Sequence, residues 1–154
     1  MFKIFKTEKK LTIEEVEKIE REIGLIFPME YKEHLLKYNG GKCEPNEFSF
    51  FENGVLETSA IDWFLAIYDG DGDNLLEYIN ILKIEEKRIP NSLIPIATDD
   101  CGNIICISCE GKDCGSVYFW DHEKEIDYNS EDDSNWSNLY LISPSFNEFI
   151  KNLR

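Results

Sequence analysis

The hydrophobic period of this chain changes at Asn39-Gly40-Gly41, and that switch limits the possible folds more than any other feature. Before it, apolar residues recur at helical spacing. After it, they come in short β-branched and aromatic runs divided by turn residues. Thr12 followed by Glu15 forms a capping box, which satisfies two orphan backbone donors at a helix start. Ile13, Val16, Ile19 and Ile23 carry that helix to Gly24, where a left-handed end is cheap. Leu25-Ile26-Phe27 forms a short apolar joint, and Pro28 presets the first turn of a second helix with Tyr31, Leu35 and Tyr38 as its stripe.

Beyond the glycines, Phe48–Phe51 and Asp62–Ala66 read as strands separated by the turn-forming Asn53-Gly54. A polar turn, Asp69–Asn74, precedes a third helix in which Leu75, Leu76, Ile79 and Leu82 share a face, and Pro90-Asn91 ends that region. Three strands follow, Ile94–Thr98, Asn103–Cys109 and Ser116–Trp120, joined by turns at Asp99–Gly102 and Gly111–Gly115. The acidic stretch after Trp120 reads as a solvated loop, with Ile126 and Tyr128 pairing briefly. Leu139–Ile142 reads as a last strand, and Ser145 opens a final helix carrying Phe146, Phe149, Ile150 and Leu153. Helices and strands do not alternate regularly. The expectation is therefore an α+β fold, a mainly antiparallel sheet flanked by helices, with residues 1–154 forming one domain.

Charge narrows the function. The net charge is −15, and it is unevenly spread. Residues 1–42 hold nine Lys/Arg against eight Asp/Glu, whereas residues 43–154 hold seven against twenty-three. No basic residue lies between Cys43 and Leu82, where there are nine acids, and Asp121–Asp133 holds seven acids against Lys124. Such a field repels nucleic acid, whose phosphates need a basic surface. It attracts a basic partner and speeds the encounter. The amino terminus, with lysines between its apolar residues, is not a signal peptide, and no apolar run is long enough to span a membrane. A cytoplasmic location is expected, and five cysteines, an odd number, fit free thiols.

Several segments, taken in order, resemble the SMI1/KNR4 (SUKH) superfamily. The first runs from Val16 through Ile19-Glu20, Gly24, Phe27-Pro28, Tyr31-Lys32 and Leu35 to Asn39-Gly40-Gly41. The second is Leu93-Ile94-Pro95-Ile96-Ala97 with Asp99, Gly102-Asn103 and Cys106-Ile107. The third is Gly115–Glu123, and the fourth is Ser145-Phe146 with Glu148-Phe149. Together they cover the chain from about Thr12 to Leu153. Phe27 stands where the family usually has leucine, and Cys101 where glycine is common. The resemblance implies a protein-binding role without a shared catalytic residue. Bacterial members are often immunity proteins that neutralise polymorphic toxins, many of them nucleases; fungal relatives look like regulators of cell-wall synthesis and signalling scaffolds.

Other chemistry has weaker support. Cys101, Cys106, Cys109 and Cys114 include a zinc-knuckle spacing, but on an extended strand Cys106 and Cys109 point to opposite faces. Asp69, Asp71 and Asp73 have the first three spacings of a calcium loop. Asn74, however, replaces its glycine, and Asn80 its bidentate glutamate. His34 and His122 accompany no catalytic motif. No catalytic residue, metal or cofactor is expected.

The reading is an immunity-type protein that docks an acidic face on a basic toxin domain, plausibly a nuclease. Asp69, Asp71, Asp73, Asp121, Glu123, Asp132 and Asp133 supply steering, and Trp120 supplies an aromatic contact. The competing readings are a regulatory or scaffold module with no toxin partner, and a metal-binding or enzymatic domain.

Overall fold

A computed structural model describes residues 1–124 and 137–154. Strand β1 (Lys3–Phe5) is followed by helices α1 (Ile13–Ile23) and α2 (Met29–Lys37), then β2 (Lys42–Glu44), β3 (Glu47–Glu52) and β4 (Val55–Phe64). Helix α3 (Leu75–Ile79) runs into a π-helical stretch, Asn80–Glu85. Strands β5 (Leu93–Asp99), β6 (Ile104–Ser108), β7 (Val117–Trp120) and β8 (Leu139–Ser143) precede helix α4 (Phe146–Lys151). The order β3-β4-β5-β6-β7-β8 forms one antiparallel sheet of six strands, and β1 pairs with β2 in a two-stranded ladder. The fold is α+β with a mainly antiparallel sheet, as the mixed periodicity predicts.

Strands β5 and β6 are buried at every position, because side chains alternate between two covered faces. On the inner face, Ile105, Ile107, Val117 and Phe119 join Phe48, Phe50 and the helices in the main core. Phe50 stacks on Phe119 at 4.3 Å between centroids, and Phe48 meets Phe149 edge-on at 5.9 Å. Burying rings of this size supplies much of a core's hydrophobic stabilisation. On the outer face, Ile104, Cys106 and Trp120 pack with Leu82, Ile89 and Leu93 in a second, smaller cluster.

The family-like residues of the first forty positions are structural in this chain. The capping box of Thr12 and Glu15 is formed, and Gly24 ends α1 at φ 74°. Glu20, only 7% exposed, accepts the Phe27 backbone N–H at 2.8 Å and the Lys32 ammonium at 2.7 Å, tying α1 to α2 through the joint. Asn39 is 1% exposed. Its amide donates to the carbonyls of Lys9 and Ile67, and its carbonyl accepts the Ile67 N–H. Gly41, at φ 107°, passes so close to Phe5 that a Cβ there would stand 2.5 Å from its carbonyl oxygen.

His34 lies against Phe64 and Phe146 at 5.1 and 4.9 Å, with Nε2 buried and without a hydrogen-bond partner among the described residues. Burial, aided by the Lys37 charge, lowers its pKa from 6.5 to about 4. The folded state thus holds the ring neutral where the unfolded chain protonates it. Stability from this group is complete above pH ~6.5 and is lost as pH falls toward ~4, by about 3 kcal/mol. Urea unfolding between neutral pH and pH 4.5 should show this acid limb, and His34→Gln should flatten it. An unchanged slope in the variant would assign the limb to carboxylates instead.

Candidate interaction surface

The Asp69–Asp73 turn follows β4 and is held by its own backbone. Asn39 grips Ile67 just ahead of it. The Tyr68 hydroxyl donates to the carbonyls of Asp71 and Gly72, and Asn74 Nδ2 donates to those of Tyr68 and Gly70. The Ala66 N–H reaches the Asp73 carbonyl at 2.8 Å, and Asn74 Oδ1 caps α3. Asn74, standing where a calcium loop needs glycine, is therefore occupied in closing the turn and starting the helix. The carboxylates of Asp69 and Asp71 remain exposed, with no basic partner among the described residues.

Asp73 is half-buried, at φ 46°. Burial and the Asp62 charge raise its pKa, against an opposing pull from Lys42. Lys42 pairs with Asp62 at 2.8 Å and lies 4.9 Å from the Trp63 ring centroid. Lys6, Glu8, Trp63, Tyr68, Asp71 and Asp73 border a shallow cleft here.

Asp121 and Glu123 sit elsewhere. Asp99 closes β5, Ile104 opposes Trp120, and Asp121 follows Trp120, so these acids share the Asp99 end of the sheet. Beyond Phe64, opposite Ala97, the Leu65 N–H bonds the Ile96 carbonyl, which carries the chain away from that end toward the Asp69 turn. Among the described residues no hydrogen bond or ion pair joins the two groups. Asp121 is partly committed: its Oδ1 accepts the Glu123 N–H at 3.0 Å, and Lys124 stands 3.9 Å away while also pairing with Glu52. Glu123 is exposed. Asp132 and Asp133 lie outside the described residues, as do Ile126, Tyr128 and Trp136.

Trp120 requires a correction. It is 1% exposed, packed in the outer-face cluster with the Arg88 guanidinium 4.9 Å from its ring, and so lies beneath the surface rather than on it. Alternation along β7 separates Tyr118 and Trp120 from Val117 and Phe119, but cannot show that the segment leading into β5, with Leu82, Arg88 and Ile89, covers the outer face. The half-buried Tyr118 is the more accessible of the two, and its hydroxyl donates to Asp113 at 2.6 Å.

The remaining chemistry is accounted for by structural contacts. Cys106 belongs to the outer cluster and Cys109 to the main core, so the zinc-like pair is split between two packed regions. Burial raises both thiol pKa values, that of Cys109 to about 12. Asp99, Asp100 and Cys101 lie close enough together to suggest a metal site. Yet both Asp99 oxygens are already filled by the N–H groups of Cys101 and Asn103, the Ser59 hydroxyl and the Asn103 amide.

Sequence reasoning overlooked the tip of the β3–β4 hairpin, where Phe51, Val55 and Leu56 are all exposed. A usable signal existed. Phe50-Phe51 and Val55-Leu56 are adjacent apolar pairs, and in a strand of period two one member of each must face away from the other.

An α+β fold with closely packed signature residues and an acid-rich exterior defines the class. The chain belongs to the SMI1/KNR4 family (SUKH-1), whose model matches residues 10–152. It is also 29% identical over 157 residues to the SPbeta prophage-derived uncharacterized protein YokK of Bacillus subtilis (strain 168), covering 92% of this chain and 74% of that protein. No helix among the described residues is long and apolar enough to cross a membrane.

Proposed function

We propose that this protein is an immunity-type inhibitor that binds a basic toxin domain, a nuclease being the partner its charge fits best. The observation that carries the reading is the one-sided charge: nine acids and no base between Cys43 and Leu82, with Asp69 and Asp71 exposed and free of basic partners among the described residues. A nuclease presents a basic surface to its phosphate substrate, and an acidic face competes for that surface. Inhibition of this kind needs contact and exclusion, not catalysis. Five unpaired cysteines, with Cys101 and Cys114 exposed, suit the reducing cytoplasm in which such a toxin would be met.

The test is co-expression with the basic toxin domain encoded beside the protein or captured with it: growth should be rescued. Failure to protect against any captured partner favours a regulatory or scaffold role. With purified partner, the combined charge reversals Asp69→Lys, Asp71→Lys and Glu123→Lys should slow association at low salt by about tenfold or more and flatten its salt dependence. Stopped-flow rates that match the unaltered protein would remove the electrostatic part of the proposal.

A further inference from the structure

The chain holds two Asn-Gly pairs, Asn39-Gly40 and Asn53-Gly54, and the fold places them in opposite settings. In such a pair the glycine nitrogen can attack the asparagine side-chain carbonyl, because no Cβ shields it. Asn39 is guarded. It is 1% exposed, its amide donates to the Lys9 and Ile67 carbonyls, and its side-chain oxygen accepts the Ile67 N–H. Gly40 packs so closely that a Cβ there would stand 2.5 Å from that of Ala66. Asn53 is open. It lies exposed at the β3–β4 tip, and its carboxamide has no hydrogen-bond partner among the described residues. A Cβ on Gly54 would meet nothing within 4 Å, so open space surrounds the attacking nitrogen. The ladder ends at the Glu52–Val55 pair, which leaves the Gly54 N–H outside it. The turn holds both residues at positive φ, so attack requires the tip to open. Phe51, Val55 and Leu56 are 58–65% exposed, and little buried contact resists that opening.

We infer that Asn53 is a site of spontaneous deamidation, with the turn's own backbone as nucleophile. The Gly54 nitrogen loses its proton to solvent base and bonds to Asn53 Cγ. The Cγ–Nδ2 bond then breaks, and ammonia leaves with a proton taken from solvent. Water opens the resulting succinimide. Cleavage between the Gly54 nitrogen and Cγ gives aspartate; cleavage between that nitrogen and the Asn53 backbone carbonyl gives isoaspartate, whose main chain runs through Cβ and Cγ. Either product adds negative charge to a stretch that already lacks any base. Isoaspartate also puts an extra backbone atom into a two-residue turn whose length sets the β3–β4 register. Glu52, beside the turn, accepts the Tyr140 hydroxyl at 3.1 Å, so movement of the tip is passed on to β8.

The test is peptide mapping by mass spectrometry of the purified full-length protein, held folded in mildly alkaline buffer and sampled over days. The expected result is conversion at Asn53 at least about a hundredfold faster than at Asn39, whose amide is freed only by a costly opening of the fold. Aspartyl and isoaspartyl forms should both appear, separated by chromatography, and the rate should rise with pH as the Gly54 amide is more often deprotonated. Methyl labelling by an isoaspartyl methyltransferase should follow the same time course. Asn53→Gly, which leaves a turn-compatible pair, should lose that labelling, while any arising from Asp69-Gly70 or Asp71-Gly72 persists. Equal rates at Asn39 and Asn53, or conversion of Asn53 only once urea unfolds the chain, overturn the inference. Aspartate without isoaspartate would show direct hydrolysis and overturn the attack by Gly54.

Discussion

Replacing Asp99 by alanine is expected to lower the free energy of unfolding by about 3–5 kcal/mol, because a buried charged acceptor with four donors has no substitute nearby. Asp99 is only 5% exposed at the end of β5. Its Oδ1 accepts the backbone N–H groups of Cys101 and Asn103 at 2.9 and 2.8 Å. Its Oδ2 accepts the Ser59 hydroxyl at 3.0 Å and the Asn103 amide at 2.9 Å. One carboxylate thus shapes the β5–β6 turn and ties it to β4. Asp99→Asn keeps one acceptor oxygen and should recover roughly half the loss. Urea denaturation of both variants decides the matter. A loss below about 1 kcal/mol for the alanine variant would mean that water satisfies the orphaned donors.

The second large effect is expected at the α1–α2 joint. Lys32→Met should cost about 3 kcal/mol, because it strands the Glu20 carboxylate in a site from which water is largely excluded. Glu20 would keep only the Phe27 N–H at 2.8 Å. The Lys32 side chain retains 20% exposure, which places the cost toward the lower end for a broken buried pair. Removing both charges, as Glu20→Gln with Lys32→Met, should restore at least half the loss, since the amide can still accept from Phe27. A double variant no more stable than Lys32→Met alone would show that shape and packing, not charge compensation, matter at the joint.

Both sites show what could be read in advance. The capped α1, the joint, α2 and strands β5–β8 are legible because each has a period, a cap or a turn of its own. The β1–β2 ladder is not, since Lys3-Ile4-Phe5 against Lys42-Cys43-Glu44 is too short to display a period and depends on a distant partner. Strand β4 begins at Val55, well before its clearest strand signal, because the hairpin partner β3 sets its length. Of the steering residues, Asp69 and Asp71 are exposed as their Gly-rich turn suggests. Trp120 is not, because alternation separates two faces without telling which one a distant segment, here that of Leu82, Arg88 and Ile89, will cover. The role of Asp99 was equally hidden: a turn signal gives no sign that the turn's first carboxylate also holds a neighbouring strand.

The acidic field beyond residue 42 is expected to hold a basic partner. Its most direct test is capture of the tagged protein from its own host at about 50 mM and about 500 mM salt, where charge steering and pairing differ most. The expected result is a net-basic protein, retained at low salt, depleted at high salt, and neutralised by this chain on co-expression. Reproducible capture of only acidic or neutral partners, held equally at both salt concentrations, would contradict it.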